Sequence, residues 1–323
     1  MPLVLVTGAA GFLGRHIVRE MIRGGWDVLA VDAVSPENAT MPRGVIYRSL
    51  QLPDESFPGL LKEFRPSACL HAAGRASVAA SVADPDADFA SSVGVTQALL
   101  SALRDFAPGC RTVLLSSAAV YGQPEELPIQ ESAPVQPISP YGYHKRACEV
   151  LMEQAARLFD VPAASARIFS AYGPGLRRQV LWEIASQYAE KNCAALKGTG
   201  RESRDFIHAT DAARALRLIV EKAPCTGEAY NVAGGVETTV SEAAGTIRSF
   251  FPGASAPKFE GRKTAGDPER WVADCSLIEK LGFHPSLTLE QGVEGLALWV
   301  KAENDGGSAT DGRPRSSDRN KQS

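Results

Sequence analysis

The 323-residue sequence is defined first by what it lacks. Its six cysteines (Cys69, Cys110, Cys148, Cys193, Cys225 and Cys275) include no CxxC pair, which argues against a zinc site and a disulfide framework. No metal is therefore expected, and a reducing, cytoplasmic setting is. No apolar run approaches the roughly 18 residues that a bilayer-spanning helix needs. The start, MPLVLVTGAAGF, lacks a basic n-region and runs straight into a glycine loop, so it reads as a first strand rather than a secretion signal. An excess of positive charge is also missing. A net charge of −3 gives no global attraction to nucleic acid or to an acidic membrane. There is no internal repeat. The terminal stretch NDGGSATDGRPRSSDRNKQS holds no apolar residue larger than alanine and cannot offset its ordering entropy, so residues 304–323 are expected to be disordered.

What is present is ordinary globular composition, 44% hydrophobic and 22% charged, in a chain long enough for one large domain or two smaller ones. Apolar runs at 3–7, 27–32, 45–50, 68–74, 111–117 and 163–173 read as strands. Helical patterns lie between them at 14–25, about 86–106 and 141–159, with Ile17, Val18, Met21 and Ile22 on one face of the first. This alternation predicts an α/β fold with a doubly wound parallel sheet. After Pro174 the elements shorten and glycine breaks appear at 197–203 and 232–237. The expected organisation is a dinucleotide-binding domain over 1–173, to which 204–235 returns as helix 204–221 and strand 228–234. A smaller, segmented lobe is expected over 174–203 and 236–303.

TGAAGFLG places Gly8, Gly11 and Gly14 between the first strand and first helix. The first glycine permits a tight turn, the second lets a pyrophosphate approach the backbone, and the third allows close helix–strand packing. Asp32 closes the next strand, where an acid binds the two ribose hydroxyls and repels a 2′-phosphate. That favours NAD over NADP, although Arg15 supplies a cation that could tolerate the phosphate. In YGYHK, Tyr141 and Lys145 share one helix face, whereas Tyr143 faces elsewhere. A free phenol has a pKa of about 10, and a nearby ammonium lowers it. A YxxxK pattern alone would more often be a solvated helix face. Ser116 and Ser117 end a strand at the sheet edge where ligands bind and point to opposite sides, so one of them faces the cleft.

Taken in order, TGAAGFLG, HAAG (71–74), SSAAVYG (116–122), SPYGYHK (139–145), RIFSAYGPG (167–175), RDFIHATD (204–211), EAYNVAGG (228–235) and GDPERWVAD (266–274) resemble the extended short-chain dehydrogenases of the NAD-dependent epimerase/dehydratase group, which act on nucleotide sugars. The resemblance runs from about Leu3 to Trp299. It implies a Rossmann sheet and selects Ser117 as the catalytic serine. Tyr141 is then the base and acid, and Lys145 holds the nicotinamide ribose and tunes the tyrosine. Cofactor contacts are implied at Gly8, Gly11, Phe12, Leu13, Gly14, Asp32, Ala72 and Ala73. Substrate contacts are implied at Ser117, Ser170, Arg177, Arg204 and Arg270. Arginine suits the diphosphate because its planar fork binds phosphate oxygens bidentately. Homodimerisation through the helices near 86–106 and 141–159 is implied as well. Three positions depart from the family pattern: Ser49, Ser92 and Ser170 stand where it commonly has Asp, Asn and Asn. His71 and His208 read as packing residues, and Asp211 as a brace.

Dehydratases of this group carry Asp and Glu immediately after the catalytic Ser or Thr, and UDP-glucuronate decarboxylases a Glu. Here those positions are Ala118 and Ala119. Oxidation and reduction at a carbinol remain, which points to a nucleotide-sugar 4-epimerase with retained NAD. A 4-ketoreductase consuming NAD(P)H is the alternative, and a non-catalytic NAD-binding module stands behind both.

Overall fold

The computed structural model describes residues 1–262 and 269–305. In chain order its strands are β1 (Leu3–Thr7), β2 (Asp27–Asp32), β3 (Ile46–Ser49), β4 (Ala68–His71), β5 (Arg111–Ser117), β6 (Ala163–Ile168), β7 (Ser170–Tyr172), β8 (Ala195–Leu196), β9 (Ser203–His208), β10 (Thr226–Val232), β11 (Glu237–Thr239) and β12 (Lys258–Phe259). Seven of them form one parallel sheet in the order β3-β2-β1-β4-β5-β6-β10. The order reverses between β1 and β4, which opens a crevice at the C-terminal strand ends, the usual ligand position in such sheets. β4 and β6 are buried along their whole length because helices cover both faces.

Helices Phe12–Arg23 and Ala209–Lys222 cover one face, burying Ile17, Val18, Met21, Leu216 and Ile219. Helices Phe57–Phe64 and Val95–Phe106 cover the other with Leu61, Leu99 and Leu103, and Pro140–Phe159 adds Cys148 and Met152. A second core lies between helices Gln179–Lys191, Val240–Ser249 and Leu289–Asp305, around Leu181, Ile184, Tyr188, Ile247 and Leu296. The three-stranded sheet β11-β9-β7 stands between the two cores.

Three elements differ from the sequence expectation. The helix expected over 204–221 begins only at Ala209. Ser203–His208 is a strand whose burial alternates residue by residue, which turns Ser203, Asp205 and Ile207 inward. The single strand expected over 163–173 breaks at Phe169, so β6 joins the large sheet and β7 the small one. The long helix near 86–106 is Pro85–Phe89 followed by a π-helical turn, Ala90–Gly94, and then Val95–Phe106. The last helix runs through Asp305, and the remainder of the expected disordered tail lies outside the described residues. All six cysteines are free thiols. No described helix is long and apolar enough to cross a membrane.

Candidate active site

β1 ends at Thr7, and Gly8 turns the chain with φ +66°. A Cβ on Gly8 would lie 2.6 Å from the Ala72 carbonyl at the end of β4. One on Gly14 would lie 2.1 Å from the Gly8 oxygen, so the first helix presses directly on the loop. Gly11 differs, since its Cβ position meets only the Gly8 oxygen, at 3.1 Å, and its other side is open to the cleft. No side chain caps this helix, so its first N–H groups remain available to an anion. Asp32 braces the loop: its two oxygens accept N–H bonds from Ala10 (2.9 Å) and Val34 (3.0 Å). The Arg15 guanidinium reaches toward the second lobe, 3.2 Å from where a Cβ on Gly175 would stand.

The loop opens into a cleft of about 990 Å³ between the two lobes. Ser117 and Tyr141 line it, as does the buried Lys145. The helix Pro140–Phe159 starts at Ser139, whose hydroxyl accepts the Gly142 N–H, with Pro140 in its first turn. Tyr141 N–H donates to Ser81 Oγ at 3.0 Å, which fixes the tyrosine through its backbone. One turn on, Lys145 Nζ donates to the Leu115 carbonyl (2.8 Å) and lies 5.8 Å from the Tyr141 ring centroid. The two serines diverge as strand geometry requires. Ser116 donates to Glu149 Oε1 at 2.6 Å inside the core, while Ser117 Oγ accepts the Ala119 N–H at 3.2 Å at the cleft wall. Ala118 is buried in the core, and only Ala119 faces the cleft.

On the substrate side, Ser170 and Arg204 line the cleft, and the Arg204 guanidinium lies 5.9 Å from the Trp271 ring centroid. Two expected contacts do not line the cleft. Arg177 lies outside the cleft lining: its fork closes on the Glu303 carboxylate, and it packs over Trp299. Arg178 lines the cleft in its place. Arg270 is likewise turned away, bidentate to Glu237 at 2.7 and 2.8 Å. That pairing, with the Ser203 hydroxyl, holds the Glu237 carboxyl down to about 2. Ala72, Phe12 and Leu13 face the cleft, whereas Ala73 packs into the core beneath Val95–Phe106. Arg75, Gln179, Lys197 and Trp271 also line the cleft and were not singled out from sequence. For Arg75 a signal existed, an arginine directly after HAAG.

A family model described as the NAD dependent epimerase/dehydratase family matches residues 4–233. The chain belongs to this family. It is 30% identical over 303 residues to a UDP-glucose 4-epimerase of Mycolicibacterium smegmatis, covering 90% of this chain and 95% of that protein. A putative UDP-glucose 4-epimerase of Methanocaldococcus jannaschii is 27% identical over 308 residues, covering 94% of this chain and 99% of the relative. Among solved structures, the Thermus thermophilus UDP-glucose 4-epimerase complex with NAD superposes with a TM-score of 0.83 at 28% identity, covering 93% of this chain and 99% of that one. As an NAD-dependent epimerase/dehydratase family enzyme, the chain takes NAD as cofactor. Its uncapped helix start and open Gly11 face fit a dinucleotide pyrophosphate.

In this family member His71 is structural. It is 1% exposed, with Nδ1 2.7 Å from Thr7 Oγ1 and Nε2 3.2 Å from Thr96 Oγ1. Burial, assisted by the Lys145 charge, lowers its pKa from 6.5 to about 3. The sign follows directly. Above pH 6.5 the ring is neutral in both states. As pH falls from 6.5 toward 3, the unfolded chain takes up a proton that the folded one refuses, and stability is lost at ~1.4 kcal/mol per pH unit. The variant His71→Gln is expected to show a flatter stability–pH slope between those limits by about that amount, read from urea midpoints. Equal slopes would count against a neutral buried His71.

Proposed function

We propose that this chain is a nucleotide-sugar 4-epimerase. Tyr141 takes the proton of the sugar 4-hydroxyl, and Ser117 hydrogen-bonds the same oxygen. Lys145 sets its ammonium 5.8 Å from the Tyr141 ring centroid and holds the nicotinamide ribose. NAD, when bound, supplies reversible hydride acceptance at C4. The 4-keto sugar turns over in the cleft, and Tyr141 returns its proton to the oxygen of the inverted carbinol. Arg204 binds the diphosphate, with Arg178 as a second cation lining the cleft. Lining by Gly8, Gly11, Phe12, Leu13, Gly14 and Ala72 holds the dinucleotide, and Asp32 keeps its loop in shape.

The observation that carries this reading is the composition of the turn after Ser117. Ala118 is in the core and Ala119, the one that faces the cleft, has no acid to give. Dehydration and decarboxylation would lose a group that typically contributes about 10²–10⁴-fold. Proton and hydride exchange at one carbinol needs only the Ser117/Tyr141/Lys145 set. Purified protein given UDP-glucose or UDP-glucuronate and no added cofactor is expected to convert at least one of them to its 4-epimer by NMR, with nicotinamide retained through the cycle. Stoichiometric consumption of NAD(P)H would replace the epimerase by a ketoreductase.

We also propose a homodimer. Phe89, Tyr143 and Val150 are 50%, 61% and 46% exposed on the helices Pro85–Phe89 and Pro140–Phe159, an apolar face suited to a second copy. Sedimentation should give twice the chain mass at micromolar concentration, and a single-chain mass would remove the dimer.

A further inference from the structure

We propose that Arg75 reads a carboxylate on the sugar, so that the substrate class is a nucleotide-linked uronic acid. This rests on the reading of the cleft as a nucleotide-sugar site.

β4 ends at His71, and Gly74 turns the chain with φ +129°. A Cβ there would stand 3.3 Å from the Ser91 carbonyl oxygen, so glycine is needed to bring the chain out past the π-helical turn. Arg75 emerges on the cleft wall. The segment beyond it is fixed to the reacting centre. Ser77 accepts the Ala80 N–H at 3.2 Å. Ser81 Oγ donates to the Val78 carbonyl (2.7 Å) and accepts the Tyr141 N–H (3.0 Å). One hydroxyl thus ties the Arg75 loop to the start of the helix that carries Tyr141. Lys197, Glu202 and Arg204 line the cleft from the segment 195–208 instead. From that tether we place Arg75 at the sugar end of the cleft, where the carbinol reacts.

Its charge is unspent. Arg177 and Arg270 are neutralised by Glu303 and Glu237, but Arg75 has no ion-pair partner among the described residues. Across the cleft lining, five cations stand against two carboxylates, Glu183 and Glu202, in a chain whose net charge is −3. Glu202 is already engaged by the Thr199 N–H and hydroxyl. The cleft-facing Ala119 adds no carboxylate to that count. A hydroxymethyl group at C6 leaves this cation without a counter-charge, whereas a carboxylate there matches the guanidinium fork.

The test uses the NAD-loaded protein with Tyr141→Phe as binding host and calorimetry with UDP-glucuronate and UDP-glucose. UDP-glucuronate is expected to bind about ten- to a hundredfold more tightly, the worth of one charge-assisted pair. Adding Arg75→Gln should erase that preference, and Arg75→Lys should keep part of it. Equal binding of the two sugars, or equal loss of both in Arg75→Gln, overturns the proposal. Loss of NAD from Arg75→Gln also overturns it and reassigns the cation to the cofactor pyrophosphate. A binding preference for UDP-glucuronate without its turnover by the wild type would sink the epimerase reading and leave Arg75 in place. Binding of neither sugar sinks both.

Discussion

Replacing Tyr141 with phenylalanine is expected to lower turnover by about 10²–10⁴-fold while leaving cofactor retention and nucleotide-sugar affinity within a few-fold of wild type. The hydroxyl is the only atom removed, and the contacts that position the residue do not depend on it. Its N–H is held by Ser81, the helix start is capped by Ser139, and Lys145 is anchored independently on the Leu115 carbonyl. The ring therefore stays where it is, and what disappears is the group that takes the carbinol proton. Single-turnover measurements with bound substrate separate this from a folding defect, because binding survives. If the variant turned over at the wild-type rate, Tyr141 would be a wall residue and another group would have to take the carbinol proton. A loss of affinity in step with turnover would instead point to a damaged cleft.

The parts of this site legible in the sequence are those where chemistry leaves few options. Gly8 and Gly14 could be read because no side chain fits the 2.6 Å and 2.1 Å gaps there. The Tyr141–Lys145 spacing could be read because it is one helical turn. What escaped depends on distant partners. Arg177 and Arg270 look like phosphate ligands until Glu303 and Glu237 arrive from 126 and 33 residues away and close their forks. β9 escaped for a different reason. Ser203–His208 runs into Ala209–Lys222 without a glycine or proline break, so the helical pattern absorbs the strand. The consequence is functional, because strand alternation turns Arg204 and Phe206 to the cleft and buries Asp205, which accepts N–H bonds from Gly234, Gly235 and Ala273. A helix over the same residues could not place Arg204 and Phe206 on one side and Asp205 between them.

The second large effect lies beneath the site. Arg167 is 4% exposed and bonds Glu149 at 3.0 and 2.9 Å, the Tyr121 hydroxyl at 2.9 Å and the Glu131 carbonyl at 2.9 Å. Tyr121 continues to Asn231 at 2.7 Å, and Ser116 donates to Glu149 at 2.6 Å. The network thus joins β5, β6, β10 and the helix that carries Tyr141 and Lys145. Because Ser116 is held inward by it, Ser117 is held outward. Arg167→Met is expected to cost about 3–5 kcal/mol, since it leaves the Glu149 carboxylate buried with only Ser116 and the half-exposed Arg146. The double variant Arg167→Met/Glu149→Met should cost less than the single one, because it removes the stranded charge along with its partner. Urea denaturation at neutral pH measures both. A single-variant loss below about 1 kcal/mol would mean that water reaches Glu149. A double-variant loss equal to the sum of the two singles would mean that the pair is not coupled, and Ser117 would then owe its orientation to strand geometry alone.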